Sequence, residues 1–459
     1  MNGADALITT LADNGVTACF ANPGTSEMQF VSALDREPRM RSILCLFEGV
    51  ATGAADGYGR IAGKPACTLL HLGPGYANGA ANLHNARRAF TPIVNVVGDH
   101  ATYHRGFDAP LNSDIAALAA PNSLWVKSAE CADSVGPLAA EAITASYGTP
   151  GGNACLILPA DAAWNAATVH GGVAELPAPV APDAETVAAV AHAVKAAKAP
   201  VLLLGSGACR EDGIAAAGRL AAQGIRVLTD TFTARQARGE GRFRPDKLPY
   251  FGEQALKELD GADLMVLVAT ERPVAFFAYP DRPSVLVPEH CGLETLCGRE
   301  VDAAAALNAL ADALEAPAAG QRQPVVGAGG AIGQGIPLAI GAAVARPDAK
   351  VLALTGDGAG MYTVQGLWTI AREQLDVVVV VFANHVYRIL GIELSRTGAG
   401  NPGPAASKLL DIGDPRIDWV AVSEGMGVPA QRVETAEAFD EAFERAMAGK
   451  GPRLIEAAL

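Results

Sequence analysis

Asp357 and Asn384 are spaced as two oxygen ligands on neighbouring strands would be. Between residues 351 and 390 the chain reads VLALTGDGAGMYTVQGLWTIAREQLDVVVVVFANHVYRIL. A β-branched run ends in Gly356-Asp357-Gly358, a helix-like segment follows from Thr363 to Glu373, and a second run, Val377 to Phe382, ends in Ala383-Asn384-His385. This fits a strand–helix–strand unit with a right-handed crossover, because parallel neighbours need a connection of that length. Adjacent strands would bring Asp357 and Asn384 out at one carboxyl edge, roughly 5 Å apart at backbone level. With a carbonyl near Val386 they make a partial hard-oxygen shell of the kind Mg²⁺ takes when phosphate oxygens complete the octahedron. Taken alone, a GDG at a strand end is also an ordinary turn.

A second carboxylate stands at the other end of the chain. Glu48 follows RSILCLF, an apolar run that reads as buried strand, so it starts from a poorly solvated place; its bland role would be to cap the helix that begins near Val50. Asn22-Pro23-Gly24-Thr25-Ser26-Glu27 reads as a turn and helix N-cap. His71, in LLHLGPGYANG, is either a satisfied structural histidine or a proton relay. GAGGAIGQG, residues 327–335, offers main-chain N–H groups to phosphate at a helix start.

The elements that must position these groups alternate. Ala4 to Asn14 reads as helix, Thr17 to Ala21 as strand, Ser42 to Phe47 as strand, Val50 to Ile61 as a small-residue helix, Ala66 to Leu70 as strand, and Ile93 to Val97 as strand. That rhythm implies an α/β chain of doubly wound parallel sheets, with ligands at the carboxyl edges. At 459 residues about three domains are expected. The net charge of −14 speaks against nucleic acid or an anionic membrane as partner. No apolar run reaches the roughly twenty residues of a membrane span, the N-terminus lacks signal-peptide character, and a cytoplasmic location is expected. The eight cysteines are scattered without a CxxC pair, which reads as buried free thiols. No histidine spacing supports zinc.

GDG followed by a run ending in Asn resembles the cofactor-anchoring motif of the thiamine-diphosphate-dependent decarboxylase and acetolactate synthase superfamily. FEGVATGAADGYGR is similar to the segment that carries the catalytic glutamate there. The resemblance implies three α/β domains: an aminopyrimidine-binding domain at 1–166, a central Rossmann-like domain at 177–316, and a diphosphate-binding domain at 325–459. It implies that Glu48 holds a proton against N1′ of the aminopyrimidine, and that Asp357, Asn384 and Val386 hold Mg²⁺. Gly24, Gly73, Asn78, Gly330, Ile332, Gly356, Gly358 and Ala359 would contact the cofactor, which bends over Ile332. Thr25 stands where benzoylformate-decarboxylase-like members usually have Ser facing the substrate carboxylate, and His71 where they have an active-site histidine. The implied substrate is a small 2-oxo acid, decarboxylated to an aldehyde or ligated to a second carbonyl. Acetolactate synthesis is the alternative within enzymes, and a non-catalytic cofactor-binding homologue the alternative outside them. Since such sites form between subunits, a homodimer or dimer of dimers is implied.

Two features depart from the pattern. The middle region, with strands expected at 200–204, 226–228, 264–268 and 284–287, shows only Gly205-Ser206-Gly207 as a nucleotide motif and no segment assignable to FAD. Its loop ERPVAFFAYPDRP carries Phe276, Phe277 and Tyr279 in place of the second histidine of benzoylformate decarboxylases. In addition, only APAAGQRQPVVGA joins the middle region to the GG-turn, so the third domain reads as trimmed at its start, without one of the polar groups that would face the diphosphate.

Overall fold

The computed structural model describes residues 1–239, 241–317, 330–398 and 400–459, and the backbone of a strand at 324–326. Most of the short join before the GG-turn, with Gly327 and Gly329, lies outside the described residues. The chain divides into two compact units: 1–176 with 330–391 and 402–459, and 177–329 with 392–401.

The first unit holds two parallel sheets. In the larger, β1 (Ala18–Asn22), β2 (Arg41–Leu44), β3 (Ala66–Leu70), β4 (Ile93–Asp99), β5 (Trp125–Ser128) and β6 (Asn153–Pro159) stand in the order β2-β1-β3-β4-β6-β5. The second unit's sheet uses β7 (Pro200–Leu204), β8 (Arg226–Thr229), β10 (Asp246–Lys247), β11 (Leu264–Val268) and β12 (Gly292–Cys297), ordered β10-β8-β7-β11-β12. A small antiparallel pair joins β9 (Arg235–Ala237) to β13 (Pro324–Val326). The remaining sheet, again in the first unit, is β14 (Val351–Gly356), β15 (Val377–Ala383), β16 (Ala430–Val433) and β17 (Arg453–Ala458), ordered β14-β15-β17-β16. Every pair in the three larger sheets is parallel. The expected α/β class with three parallel sheets is therefore what the chain adopts.

The five consecutive valines of β15 are fully buried, as a strand covered on both faces requires. One strand expectation fails. Residues 284–287 make only an isolated bridge, Val274 to Val285, because prolines bracket the run and cannot sustain a ladder. The strand that closes that edge is β12, GLETLC, whose first four residues are exposed.

Helix packing in the first unit is unusually close. The Glu48–Ala62 helix has thirteen of its fifteen residues buried, and it lies on the Gly335–Ala345 helix with glycine at each crossing point. A Cβ on Gly341 would sit 1.9 Å from the Ala54 carbonyl oxygen, and one on Gly57 2.2 Å from that of Leu338. Backbone cannot yield as a flexible side chain can, so Gly341→Ala should lower stability by about 2 kcal/mol, read as a lower urea midpoint for the full chain. The same helix carries a buried pair in which Arg60 Nε and Nη2 donate to Asp56 at 2.7 and 2.6 Å, and Thr91 Oγ1 donates to the same carboxylate at 2.7 Å. Two bonds in a fork keep this buried charge satisfied. Seven of the eight cysteines are buried free thiols, as expected, while Cys131 is exposed.

In the second unit Arg396 donates to both oxygens of Glu253, at 2.6 and 2.7 Å, and lies over the rings of Phe251 and Tyr279 at 4.4 and 4.7 Å. That clasp holds the 392–401 segment to this unit. Phe276, half exposed, packs at a tilt against the rings of Phe232 and Tyr250, and the half-exposed Phe277 meets Phe276 edge-on.

Candidate active site

Strands β14 and β15 are adjacent, with Gly356 in register with Phe382, so the corner expected from the sequence forms. Asp357, 4% exposed, opens the short Asp357–Met361 helix with Gly356 as its N-cap. Its Oδ1 accepts the Gly358 N–H at 2.8 Å and its Oδ2 accepts the His385 N–H at 2.7 Å, so the carboxylate ties the end of one strand to the end of the next. His385 has φ +56°, a left-handed backbone that only its surroundings sustain in a non-glycine residue. Those surroundings are the carboxylate in front and the 410–412 strip behind. Tyr387 N–H donates to Leu410 O, Ile412 N–H donates to His385 O, and Val386 bridges to Asp411. Asn384 Oδ1 accepts the Val386 N–H at 3.1 Å, and the Val386 carbonyl accepts the Arg388 N–H at 2.9 Å.

This donor set suits a hard cation. It offers one carboxylate, one amide oxygen and one main-chain carbonyl, each oxygen keeping a lone pair beyond the N–H bond it accepts. Among the described residues no group of three or more His, Cys, Asp or Glu could hold a metal, so a metal here must draw on neutral oxygens. Gly358 is needed where it stands, because a Cβ would meet the Tyr387 ring at 2.4 Å. Ala359 is half-buried behind it. Glu456 in β17 is fully buried with Oε1 3.2 Å from Arg416; burial pushes its carboxyl up, against the nearby Arg432 charge.

At the start of the chain, Glu48 is the first residue of its helix and 7% exposed. Its Oε2 accepts from Asn78 Nδ2 at 3.0 Å, which ties two of the expected residues together. A Cβ on Gly75 would lie 3.3 Å from Glu48 Oε1 and 3.4 Å from His71 Cβ, so glycine there lets the carboxylate and the histidine share one edge. His71 caps the Leu72–Ala89 helix, where Gly73 packs on Ser113. Thr25 is exposed at the opening of the 25–27 turn, and Gly24 N–H donates to Glu27 Oε2 at 2.8 Å. Glu27, which the sequence pattern shows only as the end of a turn, is fully buried against His71. At the GG-turn, Gly330 and Ile332 are exposed. The turn is anchored by Asn85, whose Oδ1 accepts the Ala331 N–H at 2.8 Å and whose Nδ2 donates to the Ala331 carbonyl at 3.1 Å.

Comparison with known proteins finds matching domains at both ends of the chain. Residues 1–118 match the N-terminal TPP binding domain of thiamine pyrophosphate enzymes, and residues 308–457 match the C-terminal TPP binding domain. The chain is 49% identical to IlvX of Mycobacterium tuberculosis, a protein named after the acetolactate synthase large subunit, across 99% of this chain and 98% of that one. That alignment runs to 510 positions, more than the 459 residues here, so the relative carries residues without a counterpart. Benzoylformate decarboxylase of Pseudomonas aeruginosa is 26% identical over 97% of this chain and 96% of its own. Among solved structures, the 4-hydroxybenzoylformate decarboxylase of Rhodococcus jostii RHA1 superposes with TM-score 0.85 at 24% identity, covering 99% and 98% of the two chains. Benzoylformate decarboxylase of Polynucleobacter necessarius gives TM-score 0.86 at 22% identity, covering 100% and 98%; at such identities the likeness is one of fold. With a near half-identical relative along its whole length and the cofactor-binding domains matched at both ends, the chain belongs to the thiamine pyrophosphate enzymes.

Proposed function

We propose that the protein decarboxylates a small 2-oxo acid, either releasing an aldehyde or joining the activated aldehyde to a second carbonyl. The observation that carries this reading is the Asp357 carboxylate spanning the ends of β14 and β15 beside Asn384, in a chain whose opposite end presents the buried Glu48. Thiamine diphosphate, when bound, supplies the electron sink for loss of CO₂. Asp357, Asn384 and the Val386 carbonyl would hold Mg²⁺ against its diphosphate. Gly356, Gly358 and Ala359, with Gly330, would leave main chain open to the phosphates, and exposed Ile332 would back the ring. Glu48 would hold a proton at the aminopyrimidine N1′, oriented by Asn78. Gly24 and Gly73 line the same edge, Thr25 offers a hydroxyl to a substrate carboxylate, and His71 moves a proton near it.

The division at 1–166, 177–316 and 325–459 belongs to this reading, as does pairing of two copies so that one copy's Glu48 edge faces the other's Asp357 edge. Among the described residues no helix is long and apolar enough to cross a membrane. The 49% identity to IlvX favours acetolactate formation as the second reading. The test is CO₂ release by the full chain, with thiamine diphosphate and Mg²⁺, from a panel of 2-oxo acids with and without an aldehyde acceptor. Acetolactate from pyruvate selects the second reading; no CO₂ from any acid overturns both and leaves a cofactor-binding homologue.

A further inference from the structure

Glu27 has no role in the proposed reading of the cofactor and metal sites, and yet its surroundings are built for it. Its side chain has no exposed surface, while that of His71 keeps 23%. Oε2 stands 2.9 Å from His71 Nδ1 and also accepts the Gly24 N–H at 2.8 Å. Oε1 is buried, with no hydrogen-bond partner. It occupies the space that a side chain at residue 98 would fill: a Cβ on Gly98 would be 1.7 Å from Oε1 and 2.5 Å from the Glu27 carboxyl carbon. On the other side a Cβ on Gly24 would lie 2.2 Å from His71 Nδ1. Two positions without a side chain therefore make room for one carboxylate and one imidazole face to face. A capping role alone would need only the bond to Gly24, and would not call for the histidine or for the space at Gly98.

We propose that Glu27 is a positioning residue that fixes His71 with its proton on Nδ1, leaving Nε2 as the nitrogen that takes up and gives back a proton at the substrate. The inference rests on the proposed function for the role of His71, but not for the pair itself. The Gly24 N–H donates to Oε2, so that oxygen already acts as an acceptor. A second donor, His71 Nδ1–H, completes its two lone pairs. Free imidazole has no such constraint, and a carboxylate on one ring nitrogen selects the tautomer at the other. Burial pushes the Glu27 carboxyl up, opposed first by the charge of His71. One proton lies between the two side chains, carried on His71 Nδ1 with Glu27 Oε2 as its acceptor.

The experiment is ¹⁵N NMR of the histidine rings in the full chain carrying thiamine diphosphate and Mg²⁺, with His71 assigned by the signals that vanish in His71→Gln. In the parent, Nδ1 carries a proton. In Glu27→Ala the neutral ring moves to the Nε2–H form. Gly98→Ala, which keeps every atom of Glu27 but expels its carboxylate, does the same and guards against an effect of truncation on folding. Glu27→Gln, still offering an oxygen, keeps the Nδ1–H form. With a turned-over substrate, kcat falls about 100-fold in Glu27→Ala and Gly98→Ala while KM stays within about threefold, and Glu27→Gln recovers most of it. An unprotonated Nδ1 in the parent, or an unchanged tautomer in both Glu27→Ala and Gly98→Ala, overturns the inference. The expected tautomers with no CO₂ from any 2-oxo acid, even in the parent, overturn the proposed function and leave the pair standing.

Discussion

Glu48→Gln should release CO₂ at least about 100-fold more slowly than the parent while still binding thiamine diphosphate. The two side chains have the same shape, and the amide oxygen can go on accepting from Asn78 Nδ2, which reaches Glu48 at 3.0 Å. Helix packing around a residue 7% exposed should therefore survive. What disappears is a group able to hold and release a proton at a ring nitrogen, since an amide does neither near neutral pH. Calorimetric binding of the cofactor, circular dichroism and CO₂ release, measured on the same preparation, separate these effects. A variant that turns over within about threefold of the parent would remove Glu48 from the chemistry.

Asp357→Asn is expected to weaken Mg²⁺-dependent thiamine diphosphate binding by about 100-fold, an effect of the size seen when the shell of a metal site is altered. The reasons are two. The amide carries no charge for the cation, and it has one acceptor oxygen where the carboxylate uses two, for Gly358 N–H and His385 N–H. One of those N–H groups would then face an NH₂, and the left-handed His385 would be held less firmly. Titrating thiamine diphosphate into each protein with Mg²⁺ present, and again with the metal chelated, reads the outcome. The parent should lose affinity on chelation, and the variant should change little. Equal affinities for parent and variant in Mg²⁺ would dispose of Asp357 as a ligand.

Periodicity and strand-end chemistry make the Asp357 corner legible from the sequence. The five valines of Val377–Val381 read as a strand covered on both faces, and VLALTG, a helix ahead of it, reads as its parallel neighbour, which places Asp357 and Asn384 at one edge. The central unit is harder to read. SVLV has strand-like residues but prolines on both sides, and it makes a single bridge. GLETLC has a glutamate and a threonine in the middle and is exposed over its first four residues, and yet it pairs in parallel with β11, with one register shift between Leu267 and Val268. Tertiary pairing decides there, not local preference.

Glu27 is not legible in the same way, because a glutamate three residues after a turn glycine looks like any capping residue. Its meaning lies in Gly98 and His71, more than forty positions away. A glutamate inside the apolar run RLIEAAL stands out on charge alone. Glu456 is that residue, and the arginines that answer it come from other elements.

The distribution of sulfur gives the molecule a built-in clock. Seven thiols are shut in the core, where burial pushes the thiols of Cys45 and Cys155 up to about 12, and only Cys131 meets solvent. An alkylating reagent therefore consumes one equivalent while the chain is folded. Each later equivalent counts an opening of the core, so mass spectrometry of the alkylated chain times those openings region by region.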